Sequence, residues 1–167
     1  MAGVRTNAKV SVLVDGDCQA ADTGELQLTN YGISGIPVFQ ISRFAAKALK
    51  EKKLVEAEID FFPEADDNEF CILMEERKRQ HADRTAEDFF VGIFNRKLSE
   101  LFLKQAYIPL HIKASEIRSD KWEKLFSLCK HFQVEIEETN PFEQAQVCAG
   151  GVRTDMILSL IHISEPT

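Results

Sequence analysis

Val10, Val12 and Val14 alternate with Lys9, Ser11 and Leu13, an apolar period of two over six residues that predicts a half-buried strand. Asp15-Gly16 follows at once. Because a type I′ turn needs φ > 0 at both central positions, this dipeptide predicts a hairpin. Residues 18–21 read as the return strand and residues 25–29 as a third, so a small antiparallel meander is expected. At Pro37 the period changes. Val38, Ile41, Ala45, Ala48 and Leu49 share one face of a helix over residues 37–52, while Arg43, Lys47, Lys50 and Lys52 gather toward its negative C-terminal end. Residues 54–59 alternate again, with Val55, Ala57 and Ile59 set against Glu56, Glu58 and Asp60, before Phe61-Phe62-Pro63 closes the segment.

Beyond Pro63 the pattern turns helical. Asp66, Asp67, Asn68 and Glu69 are helix-start residues, and Phe70, Leu73, Met74 and Arg77 follow at helical spacing to about Gln80. Thr85 with Asp88 makes a capping pair ahead of Phe89, Phe90, Ile93 and Phe94, and Leu98, Leu101, Phe102 and Ala106 continue after a break near Asn95. Residues 121–131 form one more helix, with Trp122, Leu125, Phe126 and Cys129 on one face. Such an aromatic stripe is core rather than a cofactor box, since each buried Phe contributes about 1.5–3 kcal/mol. Phe132, Val134 and Ile136 then alternate as a strand, Thr139-Asn140-Pro141 turns the chain, and residues 145–149 read as a short apolar strand ending at Gly150-Gly151.

The order β, α, β implies an α+β fold. A small antiparallel β-barrel or sheet, residues 1–62 and 132–150, would carry a helical subdomain inserted over residues 63–131.

The segment between strand and helix, residues 24–37, holds Asn30, Tyr31, Gly32, Ser34 and Gly35. Gly32 and Gly35 permit φ > 0 or close backbone approach, Ser34 is a candidate N-cap, and Pro37 suits the first helical turn. A strand, a glycine loop and a helix in that order present backbone to a ligand, although an ordinary capped turn has the same spacing.

Composition narrows the function classes. A chain of 167 residues, 44% apolar and 28% charged, is that of an ordinary globular protein of one domain or two small ones. A net charge of −7 argues against nucleic acid or an anionic membrane as partner. The mixed block from Glu75 to His81 reads as a solvated helix end with cations near the C-terminus. No apolar run approaches the roughly 20 residues needed to cross a bilayer, and the first ten residues lack a signal-peptide core. Cys18, Cys71, Cys129 and Cys148 stand far apart without a CxxC pair, so free thiols in a reducing cytoplasm are expected rather than disulfides or zinc.

Candidate chemistry is sparse. His81, His111 and His131 have no metal-ligand spacing, Cys148 has no base assignable beside it, and Asp66-Asp67 is accounted for as a cap. GxGxxG, P-loop and triad motifs are absent. The residues therefore describe a module without a self-contained active site. Residues 158–167, LSLIHISEPT, match the translation of the transposase adapter used in sequencing libraries, so they are expected to be an engineered scar, leaving residues 151–157 as the last natural segment.

Two stretches carry a family resemblance. GELQLTNYGISGIPVFQISR, residues 24–43, resembles the signature of the inserted domain in bacterial NAD(P)/FAD-dependent oxidoreductases, the BaiN-like proteins and aminoacetone oxidases among them. FEQAQVCAGGV, residues 142–152, is similar to that family's FEEAxVTAGGV at the return to the flavin domain, with Cys148 in place of Thr; Ile36 stands where a Pro often follows GISG. The resemblance implies an insertion between two halves of a Rossmann-type FAD domain that would be supplied by the missing parts of the same chain. It further implies FAD as cofactor with NAD(P)H, and a small-molecule substrate. Ala149, Gly150 and Gly151 would approach the cofactor. Asn30, Tyr31, Gly32, Ser34 and Gly35 would line the substrate cavity, with no catalytic residue assigned. The fragment alone would then be inactive. The alternative from the residues is a stand-alone, non-catalytic protein-interaction module with an exposed apolar patch on the Phe-rich helices.

Overall fold

A hairpin opens the fold. In the computed structural model, which describes residues 3–141, 143, 145–148 and 150, β1 (Val4–Val14) and β2 (Asp17–Leu28) pair antiparallel around Asp15 and Gly16. Both turn residues have positive φ, 52° and 88°, as a type I′ turn demands. A register shift between Val12 and Leu13 marks a bulge near this turn.

The two strands expected at residues 18–21 and 25–29 are one. Pairing continues through Asp22↔Val10, Thr23↔Lys9 and Gly24↔Ala8, so the turn-like composition is overridden by a ladder that β1 is long enough to complete. Gly24 serves packing instead of turning: a Cβ there would lie 3.3 Å from Pro37 Cδ.

β3 (Ile33–Gly35) covers only the end of β2, through Leu26↔Gly35 and Leu28↔Ile33, and α1 (Ile36–Lys50) follows directly. β4 (Val55–Asp60) pairs with the other side of β1, and β5 (Phe132–Glu135) pairs with β4. The result is an α+β architecture with a five-stranded antiparallel sheet in the order β3-β2-β1-β4-β5. Alternation works as the sequence implies. Val4, Ala8, Val10, Val12, Val55, Ala57 and Ile59 are buried on one face, where Ile41, Ala45 and Ala48 of α1 join the same cluster.

Four further helices fill residues 67–130: α2 (Asp67–Gln80), α3 (Ala86–Phe89), α4 (Arg96–Gln105) and α5 (Ser119–Lys130), with a 3-10 turn at Ala114–Glu116. Asp66 caps α2 in a reciprocal box with Glu69, Thr85 accepts from Asp88 N, and Asn95 accepts from Lys97 N. Phe70, Phe89, Phe90 and Phe102 are fully buried. Phe61, at the end of β4, joins sheet to helices: its ring lies 5.2 Å from Phe102 and 5.8 Å from Phe132 in edge-on contact.

The short strand expected at residues 145–149 is corrected. Ala145, Gln146, Val147 and Cys148 are exposed and non-strand, because no strand among the described residues offers them a ladder; Ala149 lies outside the described residues. Ser34 is likewise not the N-cap of α1. It pairs with Gln27 within β3, and Gly35 takes the cap position without any side-chain hydrogen bond.

Candidate functional site

The five candidate cavity residues come together in the β2-β3 connection and its entry to α1. Thr29 sets the loop: its N–H and its Oγ1 both donate to Gly32 O, at 2.9 and 3.0 Å. This lock leaves Asn30, Tyr31 and Gly32 exposed at the tip, with Tyr31 76% accessible. Ser34 is half-buried in the strand that follows.

Gly35 is the residue the geometry compels. Its φ is +112°, and a Cβ would sit 2.2 Å from Glu25 O, far inside van der Waals contact with a backbone atom that the ladder holds in place. Gly32 differs, since a Cβ there would meet nothing within 4 Å. Next to Gly35, Ile36 is 61% exposed. Tyr31 and Ile36 thus leave apolar surface in water, as Ile72, Val91 and Tyr107 also do elsewhere on the chain.

Of the residues proposed to approach the cofactor, Gly150 is exposed with φ +121°, and Ala149 and Gly151 lie outside the described residues. Among the described residues no hydrogen bond joins Gly150 to the β2-β3 corner.

A second location escaped sequence reasoning. An open groove of about 630 Å³ lies along the polar face of the sheet, lined by Lys9, Ser11, Glu58, Asp60, residues 63–68, Lys130 and His131. At its base Lys130, 5% exposed, donates to Asp60 Oδ2 at 2.7 Å, Phe62 O at 2.9 Å and Ala65 O at 2.6 Å. Three N–H donors meet three acceptors. Asp60 Oδ1 also accepts from Phe62 N at 2.8 Å, and His131 lies between Asp67 (3.1 Å) and Glu58 (3.5 Å). With its central charges paired, this arrangement ties β4, the loop before α2 and the end of α5 into one unit. No spacing in the sequence could have announced it, because Lys130 and Asp60 are 70 positions apart.

The thiols separate by exposure. Cys18, Cys71 and Cys148 are exposed, whereas Cys129 is buried, and that burial, reinforced by Asp60, pushes its thiol well above the usual range. Partial desolvation, then Arg84 and Arg77, lowers His81. Among the described residues no group of three or more His, Cys, Asp or Glu is placed to hold a metal ion, and no helix is long and apolar enough to cross a membrane.

The described residues by themselves do not form a Rossmann-type dinucleotide site. Pyrophosphate sites of the Rossmann type need a parallel strand-helix-strand unit, and among the described residues every strand pairing is antiparallel.

Comparison with known proteins accounts for this architecture. Residues 1–147 match the family model described as "HI0933-like protein barrel and H2TH domain". Over 157 residues the chain is 46% identical to the 3-dehydro-bile acid delta(4,6)-reductase of Clostridium scindens; the match covers 92% of this chain and 37% of the reductase. The chain therefore spans little more than a third of that relative's length. A five-stranded antiparallel sheet bearing a helical group, with matching sequence along nearly all of it, places this chain in the HI0933-like family as its barrel and H2TH domain.

Proposed function

We propose that the chain is the insert domain of a flavin-dependent oxidoreductase, packed over the flavin so that its β2-β3 corner closes the substrate cavity. The observation that carries this reading is the 46% identity to a reductase across 92% of the chain. FAD would be held by Rossmann-type halves of the same polypeptide, with NAD(P)H as electron donor, in the cytoplasm. When bound, the flavin supplies hydride or electron transfer.

The residues of this chain supply surroundings. Tyr31 and Ile36 offer apolar surface that excludes water from a hydrophobic substrate, and Asn30 and Ser34 add polar groups that orient it. Gly35 keeps the corner against β2 so that these side chains stay in place. Ala149, Gly150 and Gly151 lie where family members return to the flavin domain, close to the cofactor by this reading. The relative's name points to a substrate of the steroid class, with reduction of a carbon-carbon double bond conjugated to a ketone.

The test is to recover the flanking DNA and purify the complete reading frame. A protein that carries FAD, and whose flavin is reduced by NAD(P)H and reoxidised by a steroidal enone, supports the proposal. A complete protein that retains no flavin after reconstitution overturns it.

A further inference from the structure

A groove of about 330 Å³ opens between α2 and the turn that joins α3 to α4. Phe62, Leu73 and Ile93 form its apolar walls, and Arg77 and Gln80 line it beside them. The role proposed for the β2-β3 corner does not involve it.

Arg77 is the central feature of the groove. Its guanidinium reaches to the turn, where Nε donates to Phe89 O at 2.6 Å and Nη2 to Val91 O at 2.7 Å, and Cζ lies 5.7 Å from the centre of the Phe89 ring. These bonds occupy one edge of a planar group that carries five N–H donors. Both N–H groups of Nη1 and one of Nη2 are left without a protein acceptor among the described residues.

The charge is left as well, because carbonyls satisfy donors without supplying a counter-charge. Lys78 and Arg79 are paired with Glu75 and Glu76, whereas among the described residues no ion pair joins Arg77 or Arg84 to a carboxylate. Glu76, the one carboxylate among the described lining residues, is held by Arg79 and by Gln80 Nε2, the latter at 2.9 Å. Glu87 is taken up by Arg96 and Asp88 by Thr85. Burial first, then Arg84, holds the Arg77 guanidinium below its ordinary value, and Arg84 and Arg77 also act on His81. The negative end of α2 accounts for Lys78 and Arg79, but Arg77 turns away to another segment.

We propose that this groove binds a small organic acid, with its carboxylate on the free edge of Arg77 and its apolar chain along Phe62, Leu73 and Ile93. Two carboxylate oxygens match the parallel N–H pair at the end of a guanidinium. Apolar walls and a net charge of −7 make a polyanion a poorer fit. The volume lies at the lower end of the range for ligand sites, about 300–1,000 Å³, which limits the ligand to a short chain.

Titration of the isotope-labelled chain with hexanoate, hexanol and acetate, followed by amide NMR shifts, tests the proposal. Hexanoate should shift the amides of Leu73, Arg77, Gly92 and Ile93 and bind at least about 10-fold more tightly than hexanol or acetate. Arg77→Gln should abolish the preference for acid over alcohol. Because that change also releases the two turn carbonyls, Arg84→Glu is the second variant: Arg84 is exposed, and a carboxylate there should weaken hexanoate about 3-fold or more while leaving hexanol unchanged. Four results would each overturn the proposal: no shift in the groove, hexanol binding as well as hexanoate, acetate binding as well as hexanoate, or undiminished hexanoate affinity in Arg84→Glu.

Discussion

The passage from β3 to α1 and the passage from β4 to α2 each turn a strand into a helix, and they do so with opposite chemistry. Between β4 and α2 the polar groups are consumed internally: Asp66 and Glu69 cap one another's backbone, and Lys130 is held by Asp60 and two carbonyls. Between β3 and α1 no side chain caps the helix. Gly35 holds the backbone by steric necessity, while Tyr31 and Ile36 remain in water. The first passage is a structural lock. The second leaves its large apolar side chains exposed.

Removing the lysine should break the first corner most severely. Lys130→Ala leaves the Asp60 carboxylate, 19% exposed, without its cation, Ala65 O without its donor and Phe62 O with only the long 3.5 Å bond from Ala65 N, at an expected loss of about 3 kcal/mol in urea unfolding. A loss below about 0.5 kcal/mol would show that this node does not hold the fold.

Gly35→Ala probes the second corner. The Cβ at 2.2 Å from Glu25 O and the positive φ should cost about 2 kcal/mol, whereas Gly32→Ala, which meets nothing, should cost less. Equal effects at the two glycines would mean that the corner is not set by this close approach.

A smaller effect is expected at the α2 cap. Asp66→Ala should lower stability by about 1 kcal/mol, with no comparable cap to remove at α1.

Least of all should Tyr31→Ala matter to folding, within about 0.5 kcal/mol, because the ring is 76% exposed. By the proposed function, the same change in the complete protein should raise KM for a hydrophobic substrate. Loss of stability without any kinetic effect would reverse the contrast between the corners.

The thiols give a check that needs no mutation. Cys18, Cys71 and Cys148 should react with an aromatic disulfide in the native protein, and Cys129 only on unfolding. The folded chain holds the Cys129 proton more tightly than the unfolded chain does. This contribution to stability is therefore complete below the ordinary thiol range and is lost as pH rises through it toward the raised folded value. A native protein in which all four thiols react at one rate contradicts the buried environment.

Local pattern was enough for much of the fold. The alternation at Val10, Val12 and Val14, the Asp15-Gly16 turn, the caps at Asp66 and Thr85 and the buried Phe stripe are all short-range signals, because strand faces, turns and helix starts are decided by neighbours within a few positions. The family resemblance rested on other segments, residues 24–43 and 142–152, and membership was legible from them before the structure. Longer-range competition decided the rest. β1 was long enough to pair through Asp22 and Gly24 and so fused two expected strands, and β3 claimed Ser34 before it could cap α1. Residues 145–148 found no ladder among the described residues. Nor could spacing reveal that Gly35 faces Glu25 O or that Lys130 reaches Asp60. Composition and period set what each segment can form; which backbone lies opposite, and whether an edge is left open, depends on chain brought from tens of residues away.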